Sequence, residues 1–236
     1  MLGLGNSLSN PPYQLSNYSL EFDGINQAVQ IDGVTSVIDV DEGTFSAWVK
    51  CGDMDSSRLI VGVAKDSNNY IRLWWYHSLG QFSVTYKRGG NASRADATTS
   101  TSVLTDDTWH HLAATWDTTV EDGELKIYYD GGLTDATTIN TTAAMETMDQ
   151  ADIGRSSTGA GYWEGNIDEV AIFSEALDTP TVRTIYNNRN ITNLIAGNLI
   201  GYWKFNEGRE AVTADSSSNS NTGSLENTPE WSLDTP

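Results

Sequence analysis

One carboxylate in this chain demands a chemical account first: Asp168, set in the apolar run W-E-G-N-I-D-E-V-A-I-F over residues 163–173. Side chains on a strand alternate between faces. This places Asp168 in the row of Val170 and Ile172, with Ile167, Glu169, Ala171 and Phe173 opposite. A charge heading into an apolar layer must be hydrogen-bonded, paired or bound to a metal, since an isolated buried ion is too costly to keep. Two chemistries answer that demand: capping of backbone amides at a strand end, or ligation of a hard cation.

Aromatic rings form the second set. Trp74, Trp75 and Tyr76 are consecutive, so at least one large ring must face away from the core of the strand that carries them. Tyr162 and Trp163 follow a loop of small residues, 156–161, with the same ambiguity. Such rings stack on sugars, enter a protein interface, or pack beneath a covering segment. The neighbouring His110 and His111 cannot converge on one ion, because adjacent strand residues face opposite ways. Cys51 is the only cysteine, which excludes an intrachain disulfide and reads as an inert thiol at a strand end. Glycoside cleavage needs two carboxylates about 5 to 10 Å apart across a cleft. Glu21-Phe22-Asp23 supplies two acids, but Gly24-Ile25-Asn26 follows and no further glutamate joins them. There is no nucleophile elbow and no phosphate-binding glycine loop either, so no catalytic residue is assigned and the chain is expected not to be an enzyme.

The elements that must position these groups read as strands. Alternating or β-rich runs occupy residues 18–22, 28–31, 44–50, 58–64, 70–76, 81–86, 109–116, 124–129, 150–153, 163–173 and 199–205. Between them Asn68-Asn69, Leu79-Gly80, Gly89-Gly90 and Asp130-Gly131-Gly132 supply hairpin chemistry. One short helix is expected after Asp178-Thr179-Pro180, where Val182, Ile185 and Tyr186 recur at helical spacing. It would cover one end of a sheet. Residues 98–108 and 215–223 are polar and read as loops. With no βαβ alternation, the pattern predicts an all-β fold: a two-sheet antiparallel jelly-roll sandwich. Residues 1–17, ending near Pro11-Pro12, read as an attachment arm; residues 18–236 form the sandwich, with 199–236 packing on it as C-terminal strands.

Thirteen basic against 32 acidic residues give a formal charge of −19, which excludes nucleic-acid binding through phosphates and adhesion to anionic membranes. The same balance favours a divalent cation as partner. The start M-L-G-L-G-N-S carries no basic region and no apolar run long enough for a signal or a membrane span, so an intracellular protein or a component of a particle released by lysis is expected.

Taken in order, six segments resemble the laminin-G-like, or concanavalin A-like, lectin sandwich family. They are Y-S-L-E-F-D-G at 18–24, T-F-S-A-W-V-K at 44–50, T-W-H-H-L-A-A-T-W-D at 108–117, L-K-I-Y-Y-D-G-G at 125–132, D-I-G-R at 152–155 and G-N-I-D-E-V-A-I-F-S-E-A-L at 165–177. The resemblance implies a structural calcium held by Asp168 with oxygens from Asp23, Gly24 and Asn26. It implies that W-H-H is framework. It also sets a contrast, since laminarinase-like enzymes of this fold carry E-x-D-x-x-E, which is missing here. The low-complexity termini look like those of virion-associated proteins of aquatic bacteriophages. The expected function is therefore a non-enzymatic display protein on a virion, attached to other virion proteins through residues 1–17 and repeated as a homo-oligomer or array. Surface glycans would be contacted through Trp74, Trp75, Tyr76, Tyr162 and Trp163. The rivals are a carbohydrate-binding module of a bacterial surface protein, extracellular or at the cell surface, and a polysaccharide-cleaving enzyme.

Overall fold

The computed structural model describes residues 17–89, 94–99, 107–140, 144–157, 159–188, 191 and 198–236. Most of the proposed arm, residues 1–16, lies outside them. Two eight-stranded sheets face each other, and every strand pair within them is antiparallel. The first sheet holds β1 (Ser19–Asp23), β3 (Glu42–Cys51), β8 (Trp109–Asp117), β9 (Glu124–Tyr129), β10 (Gly132–Thr137), β12 (Glu164–Phe173), β13 (Leu199–Trp203) and β16 (Glu230–Ser232). Its order is β10-β9-β8-β3-β12-β1-β16, and β13 pairs with the far half of β12 beyond β1. The second sheet holds β2 (Ala28–Gln30), β4 (Arg58–Asp66), β5 (Asn69–Tyr76), β6 (Gln81–Lys87), β7 (Arg94–Thr98), β11 (Gln150–Ile153), β14 (Val212–Thr213) and β15 (Gly223–Glu226). It runs β14-β15-β2-β11-β4-β5-β6-β7.

Period-2 alternation builds the core. Ile71, Leu73 and Trp75 of β5 and Phe82, Val84 and Tyr86 of β6 point inward to meet Phe45, Ala47 and Val49 of β3 and Leu112, Ala114 and Trp116 of β8. Asp130 and Gly131, at φ 47° and 73°, close the β9–β10 hairpin as the primed turn that two-residue loops favour. The chain's C-terminal strands belong to both sheets, and Tyr202, Trp203 and Phe205 are fully buried there.

In β12 the alternation breaks beside Asp168. Asp168 pairs with Trp48 but Ala171 with Ser46, so β12 carries one extra residue and bulges. Glu169 sits in the bulge at φ 49°, a left-handed conformation that is uncommon for a side chain with a Cβ. Parity shifts across it, and Ile167, Val170 and Ile172 all enter the inter-sheet core. Asp168 therefore does not share the row of Val170 and Ile172. It points with Trp48 to the outer side of the first sheet, where it is fully buried.

Helix α1 (Thr179–Asn188) begins where expected, with Asp178 Oδ1 accepting the Thr181 N–H at 2.9 Å. It lies across the outer face of the first sheet rather than at an end: Val182 and Ile185 pack with Ala113, Tyr128, Phe173 and Tyr202 in a second apolar cluster. Tyr186 stacks on Trp48 at 5.5 Å. No such element covers the outer face of β4, β5 and β6 among the described residues. None of their helices is long and apolar enough to cross a membrane.

Candidate functional site

Because Ile71, Leu73 and Trp75 turn inward, the alternate residues of β5, namely Tyr70, Arg72, Trp74 and Tyr76, stand in one row on the outer face of the second sheet. Their rings and guanidinium touch in sequence. The Arg72 Cζ lies 4.7 Å from the Tyr70 ring centroid and 3.6 Å from that of Trp74, whose ring in turn stacks on Tyr76 at 4.5 Å. The next strands hold the row in place. Trp74 Nε1 donates to Thr85 Oγ1 at 2.9 Å, Thr85 donates to Asp96 Oδ1 at 2.5 Å, and Arg94 grips Asp96 through Nε and Nη2 at 2.6 and 2.9 Å.

Beside this row lie two adjoining depressions of about 160 and 190 Å³, which share Leu59, Arg72 and Ser156. Gly62, opposite Arg72 on β4, keeps the first one open: a Cβ there would come within 3.1 Å of Arg72 Cβ. The loop between β11 and β12 forms one wall and carries Ser156 and Ser157. Its Gly161 carbonyl accepts the Leu59 N–H at 2.8 Å, which staples the loop to β4. Ser67 and Ser57 complete the hydroxyl lining.

The charges on this face are unequal. Asp152, two strands from Arg72 in the same register row, is held by Arg155 at 2.5 Å, and burial raises its carboxyl pKa. Burial lowers the pKa of the Arg72 guanidinium, which nevertheless stays protonated. Arg72 is in no ion pair and no hydrogen bond among the described residues, and its Nε is buried without a partner. Asp66 is the only carboxylate among the described lining residues of either depression. Its Oδ1 accepts the Asn68 and Asn69 amides, and those bonds lower its pKa. A single acid committed to a turn does not supply the pair that glycoside hydrolysis requires.

The residues named from sequence divide. Trp74 and Tyr76 lie in the outer row. Trp75 does not: its ring packs inside on Phe82 at 5.4 Å. Trp163 is fully buried in the inter-sheet core, and Tyr162 is half-buried beside it. Tyr70 and Arg72 were missed. The signal for them is the strict alternation of Y-I-R-L-W-W-Y, which puts the three polar-tipped aromatic and basic side chains on one face with Trp74.

The proposed metal ligands do not form one set. Asp23 pairs with Glu164, four residues before Asp168, which is roughly 13 Å along the strand. Asp168 Oδ1 accepts the Glu169 N–H at 2.9 Å, so this carboxylate caps the backbone of its own bulge, and the Tyr202 hydroxyl donates to Glu169 Oε2. At the other end, Asp23 Oδ1 accepts the amides of Ile25 and Asn26 at 2.8 and 3.2 Å, and the Gly24 carbonyl accepts Arg58 Nη1 at 3.3 Å. The same guanidinium reaches the Tyr162 carbonyl at 2.7 Å, Asp55 at 2.8 Å and Glu164 at 2.9 Å. Of the proposed ligand oxygens, the Gly24 carbonyl is thus engaged by an internal cation. Among the described residues no group of three or more His, Cys, Asp and Glu side chains is placed to hold a metal ion.

Residues 23–183 match the Laminin_G_3 family of the concanavalin A-like lectin/glucanases superfamily, and the chain belongs to that family. No curated protein matches it. Among solved structures, a Bacteroides ovatus protein provisionally described as carbohydrate-binding has a TM-score of 0.67 at 16% identity, over 94% of this chain and 62% of that one. The chain thus spans less than two thirds of that relative's length. The CBM40 of a Ruminococcus gnavus IT-sialidase gives 0.56 at 14% identity, over 72% of this chain and 99% of that one. The NanB sialidase of Streptococcus pneumoniae gives 0.59 at 19% identity, over 74% of this chain and 28% of that one. At such identities the likeness establishes the fold.

Proposed function

We propose that this chain is a non-catalytic carbohydrate-binding module whose ligand lies on the outer face of the second sheet. The observation that carries this reading is the difference between the two outer faces. One is covered by α1, while the other presents Tyr70 and Tyr76 beside hydroxyl-lined depressions. Half-exposed rings with nearby hydroxyls suit a pyranose, which has apolar faces and a polar rim. The R. gnavus CBM40, similar in fold, has been solved bound to alpha2,3 sialyllactose, which supports the class. Titration against a panel of neutral and acidic oligosaccharides tests the proposal. Tyr70→Ala and Tyr76→Ala should each weaken binding about tenfold, or ~1.4 kcal/mol, with an unchanged melting temperature. Failure to bind any member, binding that ignores both changes, or release of reducing ends would overturn it.

Placement on a virion, in an array anchored by residues 1–17, is a further proposal that rests on the composition of the termini alone. Removing residues 1–17 should then abolish co-purification with particle proteins while the sandwich still melts nearly as before. Retained association would end that reading without touching the glycan site.

A further inference from the structure

We infer that Arg72 is the recognition point for a carboxylate borne on a sugar ring, so that the site selects acidic saccharides. This rests on the reading of the outer face as a glycan site and names its substrate class. The partners of the other arginines make the case. Arg58, Arg94 and Arg155, the other arginines bordering this face, each hold a carboxylate within 3 Å. Arg72 holds none, although the chain has 32 acidic residues to 13 basic ones. A largely buried guanidinium without an anion is expensive. The Tyr70 and Trp74 rings offset part of that cost. No described residue accepts from the Arg72 N–H donors, and a planar fork of such donors matches a carboxylate.

The surroundings narrow the anion. The fork stands where the two depressions meet, flanked by the hydroxyls of Ser156, Ser157, Ser57 and Ser67, which pair with sugar hydroxyls. Each depression is smaller than the ~300–1,000 Å³ of a drug-sized pocket, which fits one terminal ring rather than a buried polymer. A polyanion is disfavoured by the formal charge of −19, whereas one carboxylate meeting one guanidinium is not.

Calorimetric titration of the intact chain with alpha2,3 sialyllactose, its methyl ester, lactose and a glucuronate-terminated oligosaccharide tests the inference. The two carboxylated sugars distinguish a sialic from a uronic acid as the natural residue. At least one should bind ten-fold or more tighter than lactose, and Arg72→Met should remove that advantage, so that the carboxylated sugar and lactose bind the variant alike. The ester removes the charge from the ligand instead, so it gives the same answer on the wild-type chain even if Arg72→Met folds poorly. Equal affinity for lactose, sialyllactose and the glucuronate, with Tyr70→Ala still weakening all three, would overturn the carboxylate assignment and keep the glycan face. No binding of any sugar would overturn both.

Discussion

His111 lies wholly inside the protein with Nε2 2.9 Å from Ser46 Oγ, and burial pushes its imidazole pKa down to about 3. In the unfolded chain the ring takes up its proton near pH 6.5. Between those two values the unfolded state binds one proton more than the folded state. The stability is therefore complete above about pH 6.5 and drains away as the pH falls toward about 3, at up to ~1.4 kcal/mol per unit. Denaturant titrations from about pH 7 to about pH 4 check this, with His111→Gln as the comparison. The variant cannot titrate at this position, so its stability should fall less steeply over that range; equal slopes would mean that His111 takes up its proton while still folded. The W-H-H motif announced opposite faces for the two rings, and His110 duly turns away to Asp130 at 3.0 Å. What it did not announce was the depth of His111, because the cover comes from Tyr186 on a distant helix.

Arg58 shows how one side chain locks several elements together. Its guanidinium bonds the turn after β1, the segment before β12, β12 itself and the loop before β4. Two of those acceptors are backbone carbonyls, so Arg58→Met should lower stability by roughly 2 kcal/mol or more. A chelator should leave the wild-type melting curve where it was. A marked loss of stability on chelation, restored by calcium, would show that an ion is needed there after all. These elements were largely legible in the sequence: hairpin residues and period-2 runs marked β3 to β6, β8 and β9 within a residue or two. The parts that escaped have local physical reasons. β7 and β10 are polar strands whose partners, not their own composition, make them strands. The bulge at Glu169 is invisible because one inserted residue leaves the apolar count unchanged while reversing every face beyond it. The same parity rule, applied to residues 70–76, would have found Tyr70 and Arg72. It would also have removed Trp75 from the candidates.

At the scale of the whole molecule, the family match ends at residue 183, but the fold does not. β13 completes the edge of β12, β14 and β15 extend the second sheet, and β16 borders β1. Burial of Tyr202, Trp203 and Phe205 alone contributes several kcal/mol, at about 1.5 to 3 each, against a typical total stability of ~5 to 15. A chain ending at residue 198 should therefore lose its cooperative unfolding transition; a sharp transition by circular dichroism would show the matched region to be self-sufficient. β16 has one more effect, through the pairing of Ser232 with Ser19. Facing residues in such a ladder have Cα atoms roughly 5 Å apart, so both ends of the sandwich leave by a single doorway at one border of the first sheet. Spliced into a loop of some larger protein, the domain would hang there without opening its host. The row from Tyr70 to Tyr76 looks outward from the opposite sheet, so a tether at either end holds the module by its back.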